Sequence, residues 1–464
     1  MKLRAVFLTA VVAALVAAPT ANAAPWKRVT SEDGSGIDQV GLARTGDGVL
    51  HLAWQHPTGP NTDDLLHTVI SRDGRIGATN PIQSGWTGLS NPALVEDPGG
   101  LRAFWGGFRT TDSNDPQQEI STALSADGGA SWALMEGTVN PRGGQSYAGP
   151  IVATVRRDGS TLQAWAGTLG TWVHAGLNPD PNVSPNHNFM EGLQYGYDPN
   201  LVTDAAGRSW MAWYSSAPSR LGVQAQHVGA GGEPVGSALG MPGTSDMYIG
   251  MQGRTPVVAR SGGGVYVAYP APQAQNQVRV WRVGAGSAPI VARKGGSGPV
   301  TIAAADDGRL WAIWDDRGSI DASIHARRSN RGATSWGAEV TAGRPRGTLQ
   351  AYRLDASAIG GSVDVLGVFN IGTTTNAATF HRRLQPGLTL SADPGRLRRG
   401  RSTEVRFTVH DAGDAVRGAR VSAGGRSGTT DRRGRVELDL PGRTVTASAA
   451  KSGYVKDTLR LKAR

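Results

Sequence analysis

The sequence predicts an all-β protein, a seven-bladed β-propeller followed by a small β-sandwich, on three observations. A strand opened by glycine and closed by an aromatic recurs seven times, ending at Trp54, Trp105, Trp165, Trp213, Tyr269, Trp314 and Phe369. The chain of 464 residues holds 65 glycines and 13 tryptophans but only 18% charged residues, a profile of short strands and tight turns rather than long helices. Finally, residues 386–464 change character: 17 Lys and Arg face 8 Asp and Glu there, which is +9 of the chain's net +10.

Taken in order, the chain opens with Lys2 and Arg4, an apolar run from Ala5 to Ala18, and the small-x-small triplet Ala21-Asn22-Ala23. Positive start, apolar middle and small-residue end predict a cleavable leader over residues 1–23 and a secreted, extracellular mature chain. The run is short for a membrane span, and no later segment is apolar enough for one. There is no cysteine, so disulfides and thiolate metal sites are excluded. A secreted protein without disulfides must be held by its core and by closure of its architecture.

Residues 24–385 carry the repeat. Its closing aromatics lie 51, 60, 48, 56, 45 and 55 residues apart, a spacing that suits one four-stranded blade each. Each copy follows a short apolar strand and a turn, as Ala93 to Val95 precede Asp97-Pro98-Gly99, and precedes a third strand, as at Ile120 to Leu124. Such hairpins cannot bury both faces alone; stacking them around an axis does so and leaves few open edges. Trp26 to Val29 reads like the strand that ends a blade elsewhere, so the N-terminal strand is expected to complete the last blade and close the ring. The last repeat, from Gly361 to Phe369, is looser than the others and leaves six blades as the alternative count.

Ser125-Ala-Asp127-Gly-Gly129-Ala-Ser131-Trp132 matches the pattern Ser-x-Asp-x-Gly-x-Ser/Thr-Trp. Its Asp suits acceptance of turn N–H groups, its glycines permit positive φ, and its Trp packs between blades. Ser329 to Trp336 is a degraded copy with Arg331 at the Asp position, and Ser71-Arg-Asp73-Gly74 is a fragment. On these residues the chain resembles the sialidase-like, Asp-box (BNR-type) β-propellers, in which the box is structural. Residues 386–464, through Val416 to Val421, Thr429 to Leu438 and Val445 to Tyr454, resemble bacterial immunoglobulin-like (carboxypeptidase-regulatory-like) modules, which imply spacing or attachment.

In a propeller, ligands bind near the channel, on the face where the innermost strands begin. The residues ahead of those strands and in the loops after the aromatic strands give the ligand-binding candidates Trp86, Arg109, Tyr147, Tyr197, Arg254, Arg317 and Tyr352. The resemblance implies a carboxylate clamp of three arginines, for which Arg109, Arg254 and Arg317 have the right chemistry. The Arg-Ile-Pro motif that carries the first family arginine is absent, so none is assigned by motif and sialidase turnover is not expected. The longest loop, residues 178–197, supplies the catalytic candidates His187, Glu191, Tyr197 and Asp198, a set capable of acid–base work. Some seven-bladed polysaccharide lyases use His and Tyr in such a setting.

The nine histidines are scattered and no carboxylate cluster has ligand spacing, so no metal or other cofactor is expected; Asp63-Asp64 and Asp315-Asp316 are the weak calcium alternatives. With +1 outside the tail, the propeller is not expected to bind nucleic acid. The first functional expectation is therefore a lectin-like propeller that binds an extracellular glycan or cell-surface polysaccharide without cleaving it, carried by a basic sandwich. The alternatives are a sialidase-like glycoside hydrolase or a uronate-directed lyase, and a scaffold for another secreted protein.

Overall fold

The computed structural model describes residues 25–30, 39–60, 62–109, 119–135, 147–167, 170–177, 186–189, 196–244, 253–271, 276–293, 298–316, 323–372 and 376–464. The expected leader lies outside them. Among the described residues the fold is all-β, with no helix.

Four-stranded antiparallel units follow one another along the chain. Sheet 1 runs through Gly41–Arg44, Leu50–Gly59, Thr62–Ile70 and Ile76–Thr87. Sheet 2 has Ala93–Asp97, Gly100–Arg109, Glu119–Ser125 and Ala133–Leu134, and pairs with sheet 1 through Trp86 opposite Arg109. Sheets 3 and 4 begin with Tyr147–Val155 and Gly196–Thr203, and sheets 5 and 6 with Val257–Ala259 and Val300–Ala304. Sheet 7 holds Thr348–Ile359, Ser362–Ile371 and Ala377–Leu384, and its fourth strand is the N-terminal Lys27–Arg28. The innermost strand of each sheet touches the innermost strand of the next, and that of sheet 7 touches that of sheet 1. This is the radial arrangement of a β-propeller.

The repeat reads out directly. Every closing aromatic is on the second strand of its sheet and no more than 3% exposed. Each wedges into the apolar cluster shared with the preceding sheet: Trp105 with Ala53 and Leu65, Trp314 with Tyr266 and Val280, Phe369 with Trp311 and Ile313. Trp54 closes the circle against Leu366 and Val368 of sheet 7. Full burial of one such ring contributes about 2–3 kcal/mol. The turn before the second strand needs a left-handed residue, and Gly48, Gly159, Gly207 and Gly308 supply it at φ of 82–88°.

Closure is also polar. Lys27 and Arg28 pair with His381 and Phe380, and the Trp26 indole donates to Gly343 O at 2.5 Å. Asp364 of sheet 7, fully buried, accepts from Arg44 of sheet 1 at 2.7 Å and from His381 and Arg383 at 2.8 Å. Burial alone would raise this carboxyl; the bonds and charges of His381 and Arg383 outweigh it and hold it well below the usual range.

The tail builds two further sheets. One contains Thr389–Asp393, Thr403–Asp411, Asp414–Ala415 and Arg435–Leu440; the other contains Arg396–Leu397, Arg420–Ala423, Arg426–Thr429, Val445–Ala450 and Asp457–Ala463. Val405, Phe407 and Val409 alternate inward as the sequence predicts and meet Val421, Ala447 and Leu461 of the facing sheet in one core. The tail is docked, not merely tethered. Arg328 and Arg309 of sheet 6 reach the buried Asp411, Arg309 also reaches Asp414, and Arg328 lies between the Trp311 and Tyr454 rings.

Candidate functional site at the channel mouth

Residues just ahead of the innermost strands gather at one end of the axis. They form a hydrogen-bonded belt that runs from sheet to sheet. Gln39 Nε2 donates to Asp355 Oδ1 of sheet 7 at 3.0 Å, and Gln39 N donates to Asn91 Oδ1 ahead of sheet 2 at 3.1 Å. Ile151 N of sheet 3 donates to Asn91 O at 3.1 Å. On the other side, Thr255 N donates to Asp198 O at 2.7 Å and Asn200 Nδ2 to Thr255 O at 2.9 Å. Arg254 joins the halves: its guanidinium donates to Val40 O at 2.8 Å, to Pro92 O, and to Ile151 O at 3.1 Å. Below the belt lies an axial cavity of about 190 Å³ lined by Gln39, Leu42, Val152, Asn200, Arg254 and Asp355.

Beside the belt, between sheets 4 and 5, is a cluster of tyrosines around a carboxylate. Asp198 is 6% exposed and holds a left-handed backbone at φ 51°, a strained conformation for a residue with a Cβ and one common at functional sites. Tyr197 pairs across strands with Tyr214, ring centroids 6.3 Å apart. Tyr269, the closing aromatic of its repeat, is buried, and its hydroxyl has no hydrogen-bond partner among the described residues. Burial, then the neighbouring Tyr214 and Asp198, push that hydroxyl well above the usual phenol range, so it stays protonated and able to donate.

The site residues predicted from the sequence fare unevenly. Tyr197, Asp198 and Arg254 meet at the mouth. Arg254 is corrected in role: its Nη atoms serve backbone carbonyls of three sheets, so a sialidase-like clamp through it does not form. Tyr352 is 41% exposed with the Arg353 guanidinium 4.1 Å over its ring, and Arg353 in turn approaches Gly253 and Gln39. Trp86 is corrected outright: it is 3% exposed and packs edge-on against Trp105, so its faces belong to the core. His187 lies on the outermost strand of sheet 3, opposite Val173, three strands and about 14 Å out from the innermost strand, and is not part of the mouth. Tyr147 opens the inner strand of sheet 3 and Arg109 ends the second strand of sheet 2; both backbones are described, their side chains are not. Glu191 and Arg317 fall outside the described residues.

Sequence reasoning missed Gln39, Asn91, Asn200, Tyr214, Tyr269, Arg353 and Asp355. The available signal was position: Gln39 and Asn91 each lie two residues ahead of an innermost strand. Of the calcium alternatives, Asp315 Oδ2 accepts from Ala351 N at 2.9 Å and Asp64 Oδ1 from Gly85 N at 3.0 Å, so both carboxylates fix backbone. Among the described residues no three metal-ligating side chains converge.

No protein-family model matches the chain, and no curated protein matches it. Solved structures do. A protein of unknown function from Dyadobacter fermentans is 14% identical, over 79% of this chain and 99% of that one, at a TM-score of 0.47. The polysaccharide lyase Uly1 is 9% identical, over 77% and 92%, at 0.42. An α-L-arabinanase from Penicillium chrysogenum, solved with arabinobiose, is 12% identical, over 79% and 98%, at 0.38.

Proposed function

We propose that the chain is a secreted seven-bladed β-propeller, residues 24–385, that cleaves an extracellular glycan at the mouth of its channel, with a β-sandwich attached over residues 386–464. The ring of contacts between innermost strands and the completion of sheet 7 by Lys27–Arg28 support the blade count. The amides and carboxylates of the belt, flanked by Tyr197 and the exposed Tyr352, support a saccharide ligand, since polar groups fix hydroxyl orientation and aromatic faces stack on sugar rings. One observation favours cleavage over the lectin-like binding first expected: Asp198, a carboxylate in left-handed backbone at the mouth, directly follows the half-buried Tyr197. Together they supply a proton acceptor and a phenolic donor of the kind acid–base chemistry uses.

The test is to incubate the protein with neutral arabinans and with uronate-containing polysaccharides, following reducing ends and, separately, the ultraviolet absorbance of unsaturated uronate ends. New reducing ends without absorbance mean hydrolysis, and both together mean elimination. Asp198→Asn should lower turnover at least a hundredfold while glycan retention stays within about threefold, because general acid–base groups contribute about 10²–10⁴ to rate and little to ground-state binding. Retention of glycan by the native protein without cleavage of any of them restores the lectin reading.

A further inference from the structure

The charge of the tail is sorted by face. In the five-stranded sheet, alternation and register put Arg420, Ser422, Ser427, Thr429, Thr446, Ser448, Thr458, Arg460, Lys462 and Arg396 on the outer side, while Val421, Ala447, Ala449 and Leu461 fill the core. Four of these outer residues are cations and none is an acid. The one acid in these strands, Asp457, lies opposite the buried Ala449 and accepts from Leu390 N at 2.7 Å. The outer side of the other sheet is different: Asp393, Glu404, Glu437 and Asp439 outnumber Arg406 and Arg435, and Arg406 is already paired with Glu437 at 2.9 Å. Arg396, Arg420, Arg460 and Lys462 are exposed, and their side chains make no hydrogen bond or ion pair among the described residues.

Their layout has a direction. Ser427, Ser422, Ser448 and Thr458 form a row of short hydroxyls across four strands. Arg420 stands on one side of that row. Arg460 and then Lys462, with Arg396 beside it, stand on the other. At two residues per row the Arg420 and Arg460 rows are about 13 Å apart, with a flat hydroxyl floor between them.

We propose that this face is a docking surface for an extended polyanionic polysaccharide. Uncommitted cations at two edges match anions spaced along a chain, and the hydroxyl floor matches a hydroxyl-rich backbone lying between them. The face has no aromatic ring on which bases would stack, and no apolar side chain larger than Ala450 to enter a lipid surface. The tail docks through Arg309, at the end of the inner strand of sheet 6 away from the cavity-lining Pro299 and Val300, so the tail would hold the protein on a charged polymer while the propeller handles its own ligand. The inference does not depend on cleavage at the mouth.

The experiment uses the full chain and beads coated with polygalacturonate, with duplex DNA and phosphatidylglycerol vesicles in parallel. Arg420→Gln with Arg460→Gln is compared with Arg406→Gln with Arg435→Gln, which removes the same charge from the other face; equal melting temperatures certify folding. The first pair should weaken polygalacturonate capture about tenfold at low salt and the second less than twofold, with native capture falling as salt rises. The Arg420→Gln, Arg460→Gln pair should leave retention and cleavage of short oligosaccharides at the mouth unchanged, which separates this surface from the mouth. Equal losses in both pairs, or tighter capture by DNA or vesicles than by polygalacturonate, overturn the proposal.

Discussion

The guanidinium of Arg254 reaches backbone carbonyls from three sheets, and this commitment decides its role. Each charge-assisted bond contributes about 1.5–3 kcal/mol, and carbonyls left buried without a donor add to the loss. Arg254→Met should therefore destabilise the propeller by at least about 3 kcal/mol, visible as a lowered melting temperature. Lysine at this position should recover only part of it, since a point charge cannot fork to three acceptors. An unchanged melting temperature with lost glycan affinity would return Arg254 to the role of ligand clamp. The mouth was hard to read in the sequence for the same reason that it is stable. Its parts come from separate segments, one or two residues from each, and share no motif. Trp86 was misread because the inner strand of sheet 2 begins at Ala93, six residues beyond the end of the strand that holds Trp86.

At the scale of the element, the hairpin from Ser125 to Trp132 ties two sheets together. Asp127 accepts from Ser131 N at 3.0 Å and from the hydroxyls of Ser125 and Ser131, which hold its carboxyl well below the usual range. Gly129 O then accepts from His67 of sheet 1 at 3.1 Å, and His67 Nε2 faces His51 Nδ1 at 3.0 Å. Only glycine fits, because a Cβ at position 129 would lie 2.0 Å from the His67 ring. The second copy works differently from its reading in the sequence. Asn330, one residue earlier than the Asp position, accepts from Thr334 N at 2.8 Å, which frees Arg331 N to meet Asp414 of the tail. Local pattern showed that a hairpin was there; what it was for depended on a partner about 80 residues away. The histidine pair gives the hairpin a pH response. Burial, then the neighbouring His51, lowers His67 to about 4. A lowered histidine binds its proton more readily when unfolded, so its contribution is complete above about pH 6.5 and is lost as pH falls toward 4. Between pH 7 and pH 5 the loss from His67 is about 2 kcal/mol. His67→Gln should flatten the fall in melting temperature over that interval; an unchanged slope would remove His67 as its cause.

At the scale of the whole molecule, the ring was legible because its signal is periodic. A closing aromatic every 45 to 60 residues is a local pattern that radial stacking converts into a wedge at every interface. The joint between ring and tail was not legible, because it is made of buried charge rather than pattern. Asp411 is 2% exposed, and Arg328 and Arg309, 3% and 7% exposed, converge on it, with Ser335 Oγ donating to Ala412 O beside them. Removing one partner of such a buried set leaves the others desolvated and uncompensated, at a cost of about 3–5 kcal/mol. Asp411→Asn should therefore release the tail, and calorimetry should resolve two unfolding transitions where the native chain shows one. Replacing Arg328→Met and Asp411→Leu together, with Arg309 kept on Asp414 and Asp307, should restore much of the coupling, since an apolar contact of similar volume does not strand a charge. Two transitions already present in the native chain would mean that the joint positions the tail without coupling its stability to sheet 6.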